Sequence, residues 1–236
     1  MELGYYNIDC MELMRSMPDK CIGLAICDPP YGDAGTELKR SDKSRFGGHF
    51  DNYKNEGGVE RTGGKWAAKY GKKIVAWDKA PSREYFEELF RVSKNQIIWG
   101  GNYFELPPCR CFIVWRKTNI PEKFTMAMCE YAWTSFNDNA KVYECSSQGL
   151  KGDRFHPTQK PIQLYKWLLA NYAKEGDIIF DPNVGSGSSL IACEEMGFQY
   201  IGCEIDEEYY RKSTERMERH RAQVSIVQLM NDWRLP

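Results

Sequence analysis

Residues 177–204 constrain the fold more than any other stretch of this chain. Ile178 to Phe180 reads as a short buried strand, and Asp181-Pro-Asn183-Val-Gly185-Ser186-Gly187 as a glycine turn. A helix follows from about Ser188 to Met196, stopped by Gly197, and then a second strand from Tyr200 to Cys203. A strand, helix and strand in succession call for parallel strands with the helix laid on the sheet. The rest of the chain repeats the alternation. Strands are expected at Gly4–Ile8, Leu24–Cys27 and Gln96–Trp99, with helices around Met11–Ser16, Ser82–Val92, Pro161–Tyr172 and Glu207–Ala222. Cys111–Trp115 and Glu130–Phe136 have no convincing helix between them, which predicts an antiparallel hairpin at one edge of the sheet. The expected fold is therefore α/β, with a mostly parallel sheet covered on both faces.

At 236 residues the chain fits a single domain with an insertion, here about 32–73, and a 42% hydrophobic content suffices for its core. The insertion holds nine glycines and no apolar periodicity, too long for a routine connection. Between Arg61 and Lys79 there are six Lys/Arg against one acidic residue, Asp78, with Trp66 and Tyr70 interleaved. Such a mixture suits phosphate pairing and base stacking. The net charge of −1 argues against wholesale coating of nucleic acid, so any such contact is local. Nine cysteines without a Cys-x-x-Cys pair, and only three histidines, predict no metal site. No signal-peptide pattern opens the chain, and no run approaches the ~20 apolar residues of a membrane span, so a cytoplasmic protein with reduced thiols is expected.

Two constellations carry chemistry. Asp28-Pro29-Pro30-Tyr31 follows an apolar strand, placing a carboxylate, a stiffened turn with outward carbonyls, and an aromatic face at a strand end. The glycine turn is the second. It is neither a dinucleotide fingerprint, since Leu190 stands where the third glycine would be, nor a P-loop. Glu204 ends the next strand 17 residues beyond Gly187, where an acid accepts bonds from ribose hydroxyls. Together these suggest an adenosine-containing ligand without a pyrophosphate, and S-adenosylmethionine fits.

With both motifs in view, the chain resembles the amino-group DNA methyltransferases, whose catalytic motif (D/N/S)PP(Y/F/W) matches Asp28–Tyr31 in full. Catalytic motif first and glycine motif last is the order of the β class, which implies a circularly permuted Rossmann-like methyltransferase fold. Asn7-Ile8-Asp9-Cys10 resembles the strand end that contacts the cofactor adenine, and His156-Pro-Thr-Gln-Lys160-Pro161 the segment before the cofactor-binding helix. Gly202-Cys203-Glu204-Ile205-Asp206 resembles the ribose-binding element. The family's glycine motif usually carries an aromatic where this chain has Asn183; small phage-like members vary there.

The resemblance implies that Asp28, Pro29, Pro30 and Tyr31 are catalytic. It implies that Asp9, Cys10, Lys160, Asp181, Asn183, Gly185, Ser186, Gly187, Ser188 and Glu204 bind S-adenosylmethionine, released as S-adenosylhomocysteine. The implied substrate is adenine N6 in double-stranded DNA, flipped from the duplex. Cytosine N4, RNA adenine, and a non-catalytic DNA-binding relative are the alternatives. Many members of the class are homodimers. Target recognition is expected in a short segment, about 117–155, where Lys117, Lys123, Lys151 and Arg154 could contact phosphate. So small a reader implies a short or relaxed recognition sequence.

Overall fold

A computed structural model of the chain describes residues 2–31, 79–121, 127–147 and 154–232, with side chains to 223. The chain divides into two compact units, Met1–Asp28 with Arg83–Pro236, and Pro29–Ser82. The second is described only at 29–31 and 79–82, which have no regular secondary structure. The glycine-rich insertion, with Trp66, Tyr70 and its basic run, lies outside the described residues, as do Lys123 and Lys151.

The first unit is an eight-stranded sheet. In chain order its elements are β1 (Gly4–Tyr6), α1 (Cys10–Ser16), β2 (Ile22–Cys27), α2 (Arg83–Val92), β3 (Ser93–Trp99), β4 (Phe112–Lys117), β5 (Cys129–Thr134), β6 (Lys141–Cys145), α3 (Ile162–Tyr172), β7 (Ile178–Asp181), α4 (Ser188–Met196), β8 (Gln199–Cys203) and α5 (Glu207–Asp232). The strands lie in the order β1-β8-β7-β2-β3-β5-β4-β6. Only β5 runs against its neighbours, with Ile98 opposite Trp133 and Ile113 opposite Ala132. The antiparallel pair read from the sequence is β4 and β5, but β6 adds outside it, parallel to β4 with Ile113 opposite Lys141. The hairpin therefore sits one strand in from the edge.

β2 is buried along its whole length, so its apolar run feeds both faces of the sheet. Leu24 and Ile26 join Ile97, Trp99, Ile113 and Trp115 against Leu164, Leu168 and Leu169 of α3. Ala25 and Cys27 point the other way, with Ile98 and Phe180, against Met14 of α1 and Phe86 and Leu89 of α2. Each fully buried Leu or Ile contributes about 1.5–3 kcal/mol relative to exposure. The α4 boundaries follow the glycines. Gly187 (φ 78°) caps its start, and Gly197 (φ 75°) ends it by donating to the Cys193 and Glu194 carbonyls. Gly202 permits close approach of α4 to β8, because a Cβ there would lie 2.8 Å from Val184 Cγ2 and 3.0 Å from Leu190 Cδ1. Among the described residues, no helix is long and apolar enough to cross a membrane.

Candidate active site

Parallel strands bring their carboxyl ends to one edge, and here that edge carries an ordered row of functional groups. Glu204 follows β8, Asp181 ends β7, Asp28 follows β2, and Trp99 ends β3. Because β5 is reversed, it is the start of that strand, with Glu130, that reaches the same edge, beside Lys117 at the end of β4.

On the β7–β8 side the glycine turn is held from several directions. Glu204 Oε2 accepts the Gly185 N–H at 2.8 Å, and Oε1 accepts the Asp206 N–H at 2.9 Å. Burial raises the Glu204 pKa above the usual carboxylate value. Asp181 accepts the Asn183 N–H at 2.9 Å and the Ser189 hydroxyl. Burial is the main cause lifting its carboxyl to about 7; these two bonds oppose the rise, while the negative Asp28 and Glu204 add to it. The Asn183 side-chain carbonyl accepts from the Tyr85 hydroxyl of α2 at 2.7 Å, so a polar tie occupies the family's aromatic position. Gly185 (φ +55°) lies under His156, whose Nε2 would stand 3.1 Å from a Cβ at that position. Burial, and then Lys160 and Arg154, lower the His156 pKa to about 3, so the ring is neutral at ordinary pH. Arg216, itself buried, donates to the Ser186 carbonyl and the Ser188 hydroxyl, both at 2.8 Å.

The β1 end joins this group. Asp9 caps α1 by accepting the Met11 N–H at 2.7 Å, with Cys10 as the first helical residue. Asn7 donates to the Glu204 carbonyl at 2.7 Å. Burial, with Asp9 and Glu204 adding to it, pushes the Cys10 thiol up to about 12. The turn and this strand end have the chemistry an adenosyl ligand needs. Glycines let it approach the backbone, and each Glu204 oxygen has a second lone pair for a ribose hydroxyl.

Lys160, grouped by resemblance with the glycine turn, lies against the other motif. Its ammonium pairs with Asp28 Oδ2, stands 3.2 Å from Glu130 Oε2, and sits 5.2 Å from the Trp99 ring centroid. Burial works against its charge, but the two carboxylates outweigh burial and raise its pKa. Lys117, expected from the sequence as a phosphate contact, is turned to a carboxylate instead. It is 9% exposed and is paired with Glu130 at 2.6 Å. Arg154 donates to the Pro157 carbonyl at 2.7 Å. Glu130, Trp99, Tyr85 and Ser189 are absent from the sequence-derived site. Of these, only Ser189, two residues after Gly187 in the turn, had a local signal. Pro29, Pro30 and Tyr31 continue the chain from Asp28 in the second unit.

The raised Asp181 pKa makes a prediction. Below about pH 4 both folded and unfolded states are protonated here. Between about 4 and 7 the unfolded chain ionises first, so stability falls as pH rises. Asp181→Asn should remove that fall, worth on the order of a few kcal/mol, and stabilise the protein at pH 7.5 but not at pH 4.5. Urea denaturation at the two pH values checks it; equal pH dependence in both proteins refutes it.

Comparison with known proteins places this edge in context. The sequence model of the N6_N4_Mtase family, described as DNA methylase, matches residues 52–215. That span includes the glycine turn and Glu204 and begins beyond Asp28–Tyr31. The Type II methyltransferase M.HpaI of Haemophilus parainfluenzae is 40% identical over 68 residues, 29% of this chain and 22% of the relative. YubD of Escherichia coli (strain K12) is 33% identical over 85 residues, 36% of this chain and 37% of YubD. The chain thus spans well under half of each of these relatives. The M1.HpyAVI–SAM complex superposes with a TM-score of 0.52 at 18% identity, covering 92% of this chain and 99% of that one. The PvuII DNA methyltransferase (cytosine-N4-specific) superposes with 0.56 at 14% identity, covering 94% and 91%. At such identities the structural likeness is one of fold. The family match takes in more than half of the chain, and the chain belongs to the N6_N4_Mtase family of DNA methylases.

Proposed function

We propose that this protein transfers a methyl group from S-adenosylmethionine to the exocyclic N6 of adenine in double-stranded DNA, after flipping the base at a cost of a few kcal/mol. The observation that carries the reading is the shared strand edge. The Asp28 carboxylate stands at the end of β2, and the glycine turn and Glu204 stand at the ends of β7 and β8 beyond it. Family membership and the SAM complex of M1.HpyAVI support it. Bound S-adenosylmethionine would supply an electrophilic methyl group carried on a sulfonium. Glu204 would hold its ribose and the Gly185–Ser188 turn would take its methionine end, with Asp9 and Cys10 towards the adenine.

Adenine N6 is a poor nucleophile because its lone pair is delocalised into the ring. By the family motif, the Asp28 carboxylate and the Pro29 carbonyl would accept its two N–H bonds and favour a more tetrahedral nitrogen. Both bonds strengthen as positive charge develops there, which is differential stabilisation of the transition state. The Tyr31 ring would stack on the base. Once methylated, the nitrogen gives up one proton to water. An aspartate at the first motif position is more usual for adenine, which sets the choice of N6. A second reading, cytosine N4, is kept because the PvuII enzyme shares the fold.

One experiment tests these readings together. The protein is incubated with methyl-labelled S-adenosylmethionine and either DNA or RNA, and the digest is resolved into nucleosides. Labelled N6-methyladenine from DNA is expected. N4-methylcytosine would overturn the base assignment, label in RNA alone the substrate, and no label on either the enzymatic reading.

A further inference from the structure

The same edge holds a row of alternating charges that methyl transfer does not by itself require. Lys117 donates to Glu130 Oε1 at 2.6 Å, Glu130 Oε2 lies 3.2 Å from the Lys160 ammonium, and Lys160 is paired with Asp28 Oδ2. Two tryptophan rings flank the cations, Trp115 at 5.2 Å from Lys117 and Trp99 at 5.2 Å from Lys160. The Lys160 side chain is 2% exposed and that of Asp28 14%, so little water screens this end. Glu130, at 27%, has the most solvent of the four. Two cations and two carboxylates sum to zero. A long lysine side chain loses rotamer freedom when fixed, and the second carboxylate and the ring make that fixation favourable.

We propose that Glu130, backed by Lys117, is a positioning residue for methyl transfer: it holds the Lys160 ammonium in place and sets how much of the Asp28 charge that ammonium cancels. The inference rests on the methyl-transfer reading. As the N6 lone pair forms the new N–C bond, the S–C bonding pair returns to sulfur, and the positive charge passes from sulfur to nitrogen. A proton then leaves the nitrogen for water. Asp28 stabilises that charge only as far as its own is uncancelled. Glu130 draws on the Lys160 charge and strengthens Asp28; Lys117 draws on Glu130 and opposes it. The effect of each charge on the reaction alternates in sign along the row.

That alternation is the test. Glu130→Gln leaves Lys160 facing Asp28 alone with Lys117 unpaired, an excess positive charge beside the developing cation. It should lower kcat by about 10- to 100-fold, with KM for S-adenosylmethionine within about twofold of wild type. Lys117→Met should leave kcat unchanged or raise it by less than about threefold. In the double variant the Lys160–Asp28 pair is neutral again, so kcat should return to within about fivefold of wild type. Glu130 and Lys117 acting only as structural supports would give losses that add, with the double variant the worst. An unchanged kcat in Glu130→Gln, or a double variant no better than it, overturns the proposal. If Glu130→Gln does not fold, the double variant decides alone: active supports the proposal, inactive refutes it. A wild type that transfers no methyl group would instead refute the underlying reading, and the inference would fall with it.

Discussion

Asp28→Ala is expected to reduce methyl transfer to DNA by about 10²–10³-fold or more, the loss seen when one preorganised group is removed from a developing charge. S-adenosylmethionine binding should persist. Glu204 bonds to the Gly185 and Asp206 N–H groups, and Asp181 to Ser189 and Asn183, so the turn keeps its supports without Asp28. Lys160 keeps Glu130 at 3.2 Å, so its buried ammonium retains a counter-charge and the fold is expected to survive. Calorimetric titration with S-adenosylmethionine and a labelled-methyl assay on the same preparation separate the two effects. Retained transfer would remove Asp28 from the catalytic role. Lost binding with lost transfer would mean that alanine disturbs the edge as a whole.

How much of this was legible in the chain follows from the range of each interaction. The α4 helix was placed to the residue, because its limits are set locally by Gly187 and Gly197 at positive φ. β7, β8 and β2 announced themselves as apolar runs ending in acids, and the sheet puts those ends on neighbouring strands. β6 was missed because Lys141–Cys145 is half-exposed, with Val142 at 63%, and reads as a polar stretch. α5 was expected to end near Ala222 and runs to Asp232. The charge row was out of reach for a different reason. Lys117, Glu130, Lys160 and Asp28 come from four separate segments, and nothing local marks which carboxylate a lysine will meet. Lys117 therefore looked like a surface cation fit for phosphate, and only the reversed β5 brings Glu130 against it.

Lys160→Met should be the most damaging single change in the sheet edge for stability, and it should cost turnover as well. Methionine approximates the lysine stem in volume, so packing against the Trp99 ring survives and the charge is what is lost. The Asp28 and Glu130 carboxylates would then face the same space, at side-chain exposures of 14% and 27%, with no cation between them. Breaking a buried pair by removing one partner costs about 3–5 kcal/mol; Lys117 stays on Glu130 at 2.6 Å, so the loss should lie toward the lower end of that range. For a chain of this size that should lower the urea midpoint by about 1–2 M with the slope unchanged. Removing the ammonium leaves the Asp28 charge uncancelled but also takes away the group that orients its carboxylate. The lost orientation should outweigh the gain, and methyl transfer should fall about 100-fold in conditions where the variant is still folded. Lys160→Arg should fall between the two proteins. It keeps the charge, but its planar fork presents its donors in a different geometry from the ammonium that Asp28 and Glu130 now meet. A midpoint in Lys160→Met equal to wild type would show that the two carboxylates find other partners, and that the row is not what holds this edge.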